Sequence, residues 1–300
     1  MARDWESTFR EWSKPSSDTE EQKCSNTERM IRAAIAECPD LSKRNIEVFA
    51  QGSYKNNTNV RQDSDVDICV RCNDVFFYDF PPDGTITKAS AGFSDADYEY
   101  SRFKNEVEAA LVKKFGRDMV TRGNKAFDVH ATSYRVDADV VPTFEHRRYY
   151  RDYRGQITYH RGTELRPDKG GRIINWPEQN YSNGVDKNKA TTGRFKFITR
   201  VIKRLRNEME SNNILEAKPI PSFLIECLVW NTPNDRFGYS QYSSDVQNML
   251  AHTFNETLAY EKCKEWGEVN ELKYLFIGQA WTWEQAHTFL GVAWDYVGFK

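Results

Sequence analysis

The sequence lacks the features that mark membrane, secreted and duplex-binding proteins. It has no apolar run near the roughly 20 residues needed to span a bilayer. Its N-terminal segment, MARDWESTFREW, lacks the apolar core of a signal peptide. Its 42 basic and 44 acidic residues give a net charge of -2, whereas a general duplex-binding surface usually shows a marked basic excess. We therefore expect a cytoplasmic globular protein that does not associate with a membrane.

Cysteine is too scattered for a disulfide framework or a zinc site. The six cysteines of the 300-residue chain show no framework spacing. Cys69 and Cys72 have the spacing of a CxxC pair, but they lie in an apolar run and no second pair accompanies them. We interpret them as buried, inert thiols in a reducing compartment, not as zinc ligands or redox groups.

Apolar periodicity divides the chain into a mixed α/β part and a mainly helical part. It predicts helices over 27–38, 101–115, 195–209, 220–229 and 283–294, and strands over 46–50, 66–70 and near 127–143. Segments 79–97 and 155–193, punctuated by Gly and Pro, are predicted as loops. We place a domain boundary after residue 155, giving domains 1–155 and 156–300, and expect a ligand site in the cleft between them.

The segment QGSYKNNTNVRQDSDVDICV, residues 51–70, combines a Gly-Ser pair with closely spaced carboxylates. Residues i and i+2 of a strand face the same side, so Asp65 and Asp67 would project together. Such a pair can hold two Mg²⁺ ions for in-line phosphoryl transfer, with substrate phosphate oxygens completing the coordination. Gly52 lets the backbone approach a triphosphate, and Ser53 adds donors to it, especially if a helical turn starts here.

A third carboxylate is expected from the segment VDADVVP, residues 136–142. Two candidates, Asp137 and Asp139, share one face of a strand, so their parity does not separate them. A lone Asp-x-Asp is usually a solvated surface. The whole combination favours catalysis, because burying this much negative charge without a cation is costly.

These motifs resemble the signature of the polymerase-beta-like nucleotidyltransferases. The likeness rests on Gly52-Ser53-Tyr54, on Ser64-Asp65-Val66-Asp67 and on Asp139-Val140-Val141. More narrowly, the chain resembles the bacterial cGAS/DncV-like nucleotidyltransferases (CD-NTases), which are signalling enzymes of CBASS anti-phage defence. IINWP (173–177), YSNG (181–184) and PSFLIEC (221–227) make it most similar to the CdnE group, and the likeness covers nearly the whole chain.

The resemblance implies an α+β fold. Its parts would be a polymerase-beta-like nucleotidyltransferase core, with a mixed sheet and flanking helices, and a mainly helical C-terminal lobe. The active site would lie in the cleft between the core and this lobe. The implied cofactor is a pair of Mg²⁺ ions, with Mn²⁺ as an alternative.

The resemblance also assigns roles to individual residues. Asp65 and Asp67 would hold both metals, and Asp139 would be the third carboxylate, which leaves Asp137 as an extra acid. Lys203 and Ser222 match positions that contact the donor triphosphate. Their alternatives are a solvated helix charge for Lys203 and, for Ser222, a cap on the helix that begins after a proline.

Asn175 is implied to lie against a base and to accompany the use of pyrimidine nucleotides. Its amide has one acceptor and two donors, so it can read the O4 and N3–H edge of uracil. The alternative is an Asn that fixes a turn before Trp176 and Pro177. For Tyr181, stacking on a base and packing in a cleft wall both remain open.

The predicted function is a cyclic dinucleotide synthase. It would join UTP with ATP or with a second UTP through a linear intermediate, giving cyclic UMP-AMP or cyclic di-UMP. A downstream effector would bind this product, not the enzyme. Nothing in the chain resembles a zinc ribbon or an extended basic spine, so activation by duplex DNA is not expected.

Two alternatives remain open. One keeps the same site but makes a linear product or a nucleotidylated acceptor, as a 2'-5' oligoadenylate synthase or a tRNA-directed transferase does. The near-neutral charge argues against a substrate of RNA size. The other is an inactive nucleotide-binding module, and the presence of Asp65, Asp67 and Asp139 counts against it.

Overall fold

The structure, a computed structural model, describes residues 3–60 and 65–300. Contacts between residues group the chain into two compact units. The sheet unit comprises residues 17–54 and 64–177, and the helical unit comprises residues 1–16, 55–63 and 178–300.

Seven strands and eleven α-helices form within the described residues. The strands are β1 (Ile46–Gln51), β2 (Val66–Asp79), β3 (Val120–Arg122), β4 (Phe127–Val129), β5 (Ala138–Arg151), β6 (Ile157–Leu165) and β7 (Ile173–Asn175). The helices are α1 (Trp5–Trp12), α2 (Asp18–Ala36), α3 (Gly52–Lys55), α4 (Lys88–Ala91), α5 (Tyr100–Phe115), α6 (Pro177–Ala190), α7 (Arg194–Ser211), α8 (Ser222–Trp230), α9 (Tyr242–Glu256), α10 (Tyr260–Cys263) and α11 (Trp283–Val297). None of the described helices is both long enough and apolar enough to cross a membrane.

The strands form one mixed sheet in the order β1-β2-β5-β4-β3, to which β6 adds beside β5 and β7 beside β6. The pair β2–β5 is parallel, and the other pairs are antiparallel. Strand β5 pairs with β4 over residues 138–140 and with β6 over residues 144–151. The parallel pairing sets the beginnings of β2 and β5 side by side, which are the two points where the sequence places carboxylates.

Alternation along β2 and β5 gives the sheet one apolar and one polar face. The apolar face includes Ile68, Val70, Val140 and Phe144, which belong to a buried cluster with residues of α2 and α5. Residues of odd number on β5 from Asp139 to Glu145 face the other side, which we call the carboxylate face. On the carboxylate face, Thr143 and Glu145 are also buried, whereas Asp67 and Asp139 are partly exposed.

The core of the helical unit is built from amphipathic helices. Helix α7 buries Ile198, Ile202, Leu205 and Met209 at helical spacing. Helix α8 buries every residue from Leu224 to Val229. Residues of α1, α9 and α11 complete the same cluster.

The predicted α+β class and most predicted elements are confirmed, but several boundaries were wrong. Helix α2 begins at Asp18, not near residue 27. The prediction missed its first half because those residues are polar and show little apolar periodicity. Strand β2 continues to Asp79, well beyond residue 70. The segment 155–193, expected as loops, contains β6, β7 and α6, since pairing to β5 stabilises polar strands that alternation alone does not reveal.

The two compact units also differ from the division predicted after residue 155. Residues 1–16 group with the helical unit, because Phe9 of α1 is part of its core. Residues 156–177 group with the sheet unit, because β6 and β7 extend its sheet. The position of the domain boundary itself stays a prediction.

Candidate active site

Asp67 and Asp139 lie side by side in neighbouring parallel strands. Burial raises the pKa of Asp67 to about 6, and the negative charge of Asp65 adds to the rise. Burial likewise raises the pKa of Asp139 to about 6, helped by a hydrogen bond with Asp128 and by the charge of Asp67. Asp65 precedes β2, and its side chain is exposed. The site thus concentrates negative charge at the start of β2 and β5.

Gly52 directly follows β1 and lies against the Asp67 carboxylate. The last residue of that strand, Gln51, is the register partner of Asp67, and helix α3 begins at the next residue. Ser53 lies in this single helical turn, as the sequence suggested. A Cβ added at Gly52 would lie 2.2 Å from Oδ2 of Asp67, and φ is +66° there. Both the space and the left-handed backbone therefore require glycine.

The structure separates the two candidates for the third carboxylate. Asp139 is within β5 and opposite Asp67. Asp137 precedes the strand, its side chain is 53% exposed, and its Oδ1 accepts a hydrogen bond from the backbone N–H of Ala131. Only Asp139 of the two therefore adjoins Asp67.

A further carboxylate that the sequence analysis missed is Asp128. It lies in the three-residue strand β4 as the register partner of Asp139. Asp67, Asp139 and Asp128 thus form a row across β2, β5 and β4. The sequence signal for Asp128 was an acidic residue between two apolar ones, Phe127 and Val129, which are both buried in the structure. The sequence did not show which strand would pair with this one.

Asn175 lies on the same face of the sheet as the carboxylates. Glu145 is an even number of residues from Asp139 along β5, so both face one side. Thr163 is opposite Glu145, and Asn175 is opposite Thr163. Paired residues on adjacent strands share a face. The carboxamide of Asn175, which is half-buried, makes no hydrogen bond to the described residues, so the fold does not use it.

Two buried groups on the carboxylate face, Arg71 and Glu145, belong to an ion network that the sequence analysis also missed. Glu47 accepts hydrogen bonds from Arg71 at 2.6 Å and from Arg161 at 3.0 Å. Arg161 also donates to Glu145 at 2.7 Å. Because these charges are paired with one another, the network stiffens the sheet between Asp67 and Asn175.

Lys203 lies in the helical unit and is almost fully buried, with 1% of its surface exposed. Its ammonium contacts Glu226 at 3.2 Å and donates to the carbonyl oxygen of Thr58 at 3.1 Å. Glu226 also accepts from Thr58 Oγ1 at 2.7 Å and from Asn56 Nδ2 at 3.2 Å. The structure therefore places Lys203 in a buried ion pair, not on a solvated helix face, and its triphosphate contact stays a prediction.

Ser222 is the first residue of α8, directly after Pro221. Its Oγ accepts a hydrogen bond from Nη2 of Arg206 at 2.8 Å, and it makes no side-chain cap of the helix. Tyr181 is 40% exposed, and the Lys55 ammonium lies 4.9 Å from the centre of its ring. The predicted roles of Ser222 and Tyr181 stay predictions.

Two smaller predictions have different outcomes. Cys69 and Cys72 are buried and form no disulfide, Sγ of Cys69 lies 3.2 Å from Oγ1 of Thr143, and burial raises the pKa of Cys72, so the prediction of buried thiols is confirmed. Ser64, part of the predicted Ser-Asp-x-Asp motif, lies outside the described residues.

The carboxylate site fits a divalent cation. Burial and neighbouring carboxyl groups raise the pKa values of Asp67 and Asp139, and a bound cation would offset this cost of their negative charge. Among the described residues, no group of three or more His, Cys, Asp or Glu side chains is arranged to hold a metal ion, so Asp65, Asp67 and Asp139 do not form a metal site by themselves. Such an incomplete set is what Mg²⁺ uses when substrate oxygens supply the remaining ligands.

Two family models match the chain. The nucleotidyltransferase domain matches residues 31–154. The cGAS/DncV-like nucleotidyltransferase C-terminal helical domain matches residues 182–298.

Individual relatives agree with these matches. The chain is 51% identical to the cyclic dipyrimidine nucleotide synthase CdnE of Legionella pneumophila, over 99% of each chain. It is 42% identical to the protein of the same name from Cecembia lonarensis, over the full length of both. Its fold is similar to the Rhodothermus marinus CdnE c-UMP-AMP synthase bound to Apcpp and Upnpp, with a TM-score of 0.83 at 29% identity. That likeness covers 98% of this chain and 97% of the other.

Proposed function

Because the chain belongs to the CdnE-like group of the cGAS/DncV-like nucleotidyltransferases, we propose that it joins nucleoside triphosphates into a cyclic dinucleotide containing at least one pyrimidine. The observation that carries the chemistry is the pairing of Asp67 with Asp139 beside the glycine turn at Gly52. Similarity along the whole chain to two cyclic dipyrimidine synthases supports the choice of pyrimidine. UTP, with ATP or a second UTP, is the proposed substrate set.

Asp65, Asp67 and Asp139 would hold the divalent cations, which we propose to be two Mg²⁺ ions with Mn²⁺ as a substitute. When bound, such ions neutralise charge on the transferring phosphoryl group and activate the attacking hydroxyl. The turn at Gly52 and Ser53 would bring backbone N–H groups close to the triphosphate. Lys203 and Ser222 are the further proposed triphosphate contacts.

The reaction would proceed in two chemically equivalent steps. In the first, a ribose hydroxyl oxygen of one nucleotide bonds to the α-phosphorus of the other. The bond from that phosphorus to the bridging oxygen breaks, pyrophosphate leaves, and the hydroxyl proton passes to solvent. In the second step, the remaining triphosphate of the linear intermediate reacts in the same way and closes the ring.

Asn175 would select the base. Its carboxamide is on the carboxylate face and makes no hydrogen bond to the described residues. Uracil offers an acceptor at O4 and a donor at N3, which a carboxamide can satisfy together.

We also infer that the product acts as a signal read by a separate effector in the cytoplasm, within anti-phage defence.

The first test identifies the product. The purified protein is incubated with Mg²⁺ and all four nucleoside triphosphates, then with each pair and each singly, and products are analysed by mass spectrometry. We expect a phosphatase-resistant cyclic dinucleotide containing uridine. A product made only of purines would contradict the base selection, and a linear product would contradict cyclisation.

The matched variants for this test are Asp139→Asn and Asp137→Asn. Asp139→Asn should lower the rate by about a hundredfold or more, the scale seen when a group that stabilises transition-state charge is lost. Asp137→Asn should retain most activity, because its side chain is exposed and bonds to a loop amide. Equal losses in both variants would contradict the assignment of Asp139.

A further inference from the structure

Gly162 of β6 allows an unusually close approach of the chain that carries Asn175. A Cβ added at Gly162 would lie 2.6 Å from the carbonyl oxygen of Asn175 and 2.6 Å from Cε3 of Trp176. Real side chains do not make contacts this short. The backbone of Gly162 is not in the left-handed region, so its glycine is explained by this approach and not by its conformation.

Trp176 fills the space that Gly162 leaves. It is 2% exposed, and its ring meets His146 edge-on at 5.4 Å between ring centroids. His146 is itself the register partner of Gly162 on β5. The guanidinium carbon of Arg148 lies 4.6 Å from the indole centroid. Trp176 is therefore enclosed by groups of even number on β5 and β6, on the face opposite the carboxylates.

Besides its neighbour Trp176, Asn175 is constrained by its pairing with Thr163 on β6. It ends the three-residue strand β7, and Pro177, two residues on, begins α6. Its carbonyl oxygen accepts from Thr163 Oγ1 only at 3.5 Å. A short strand beside one neighbour does not by itself hold a side chain firmly. The anchor next in the chain is the indole of Trp176.

We propose that Gly162 and Trp176 are positioning residues that hold Asn175 on the carboxylate face, and that they thereby set the preference for uridine. The proposal rests on the proposed function, in which Asn175 reads the base. Neither residue is proposed to contact the base, because the Trp176 indole packs on the face opposite the carboxylates. The indole thereby fixes the backbone of Asn175, whose carboxamide lies on the carboxylate face.

The test compares Gly162→Ala and Trp176→Phe with Asn175→Ser. Each protein receives equimolar UTP and ATP, and the ratio of uridine to adenosine incorporated into all cyclic products is measured by mass spectrometry. We expect the ratio to fall by about tenfold in Gly162→Ala, roughly the value of one hydrogen bond. Trp176→Phe, which keeps a smaller aromatic ring, should show a smaller fall.

Gly267→Ala is the matched control, because a Cβ there would lie 3.7 Å from the nearest atom, an ordinary contact. Its ratio should equal that of the unmodified protein. If the incorporation of uridine and that of adenosine fall in parallel in Gly162→Ala and Trp176→Phe, the two residues are merely structural and the proposal is overturned. If Gly162→Ala does not fold, Trp176→Phe decides by the same ratio.

Asn175→Ser distinguishes the two levels of inference. A changed ratio in Asn175→Ser with unchanged ratios in Gly162→Ala and Trp176→Phe would overturn only the positioning role. An unchanged ratio in Asn175→Ser would overturn base reading by Asn175, and the positioning proposal with it. The two failures are therefore separable in one experiment.

Discussion

At the scale of single residues, the site depends on carboxylates held close together against their mutual repulsion. Asp67 and Asp139 face each other across β2 and β5, and each pKa is raised to about 6. A folded protein with raised carboxyl pKa values binds protons more tightly than the unfolded chain does. Both residues therefore stabilise the metal-free fold only while they are protonated.

We expect the metal-free protein to lose stability as pH rises through about 6. The contribution of Asp67 is fully present below its ordinary pKa of 3.8 and is lost above about 6. Asp67→Asn removes this dependence, so in EDTA the free energy of unfolding of this variant, relative to that of the unmodified protein, should grow between pH 4 and pH 7 by about 2 kcal/mol. Chemical denaturation at several pH values measures this difference.

Mg²⁺ provides the control for the pH experiment. At pH 8 it should stabilise the unmodified protein and leave Asp67→Asn nearly unchanged, because binding to the native state alone raises its stability. An advantage of Asp67→Asn that did not vary with pH would show that charge repulsion is not its cause.

At the scale of elements, α7 and α8 are joined to the segment after the glycine turn by a buried ion pair. The side chains of Lys203 and Glu226 are 2% and 3% exposed, and both hydrogen-bond to Thr58. Removing one partner of such a pair leaves the other charge buried without compensation. The pair therefore fixes residues 56–58 onto the helical unit.

We expect Glu226→Gln to lower the free energy of unfolding by about 3–5 kcal/mol, because the Lys203 ammonium loses its counter-charge. Glu210→Gln is the matched control: Glu210 pairs with Arg206 but is 43% exposed. Its loss should cost less than about 1 kcal/mol. Urea denaturation measures both, and similar costs for the two variants would contradict the argument from burial.

At the scale of the whole molecule, charge is nearly balanced, with a net value of -2. Proteins that bind the phosphate backbone of long nucleic acids usually carry an excess of basic residues, since neutralisation of the phosphates supplies most of the affinity. The two family models together account for most of the chain, as a nucleotidyltransferase domain and a helical domain. Small nucleotides are the substrates that suit this balance of charge.

We therefore expect duplex DNA to change the rate of cyclic dinucleotide synthesis by less than about twofold at physiological salt. The measurement is the product yield with and without duplex DNA of increasing length. A matched RNA series extends it to the alternative of an RNA-directed enzyme. A strong, length-dependent stimulation by either polymer would contradict the prediction.

The sequence by itself determined the α+β class, the main strands and helices, and the position of Asp67 in the strand that follows the Gly-Ser pair. Those features depend on local periodicity and on the two-residue alternation of a strand, which neighbouring residues specify. The resemblance of its motifs was enough to identify the family. Strand parity by itself left Asp137 and Asp139 equal, and the resemblance favoured Asp139.

Only the tertiary structure decided which residues meet across strands. The parallel register of β5 with β2 places Asp139, and not Asp137, opposite Asp67, and the pairing of β4 places Asp128 opposite Asp139. The structure also revealed that β6 and β7 extend the sheet, which brings Asn175 onto the carboxylate face. Strand pairing joins residues far apart in the chain, and its register depends on the packing of the whole sheet, so local patterns do not encode it.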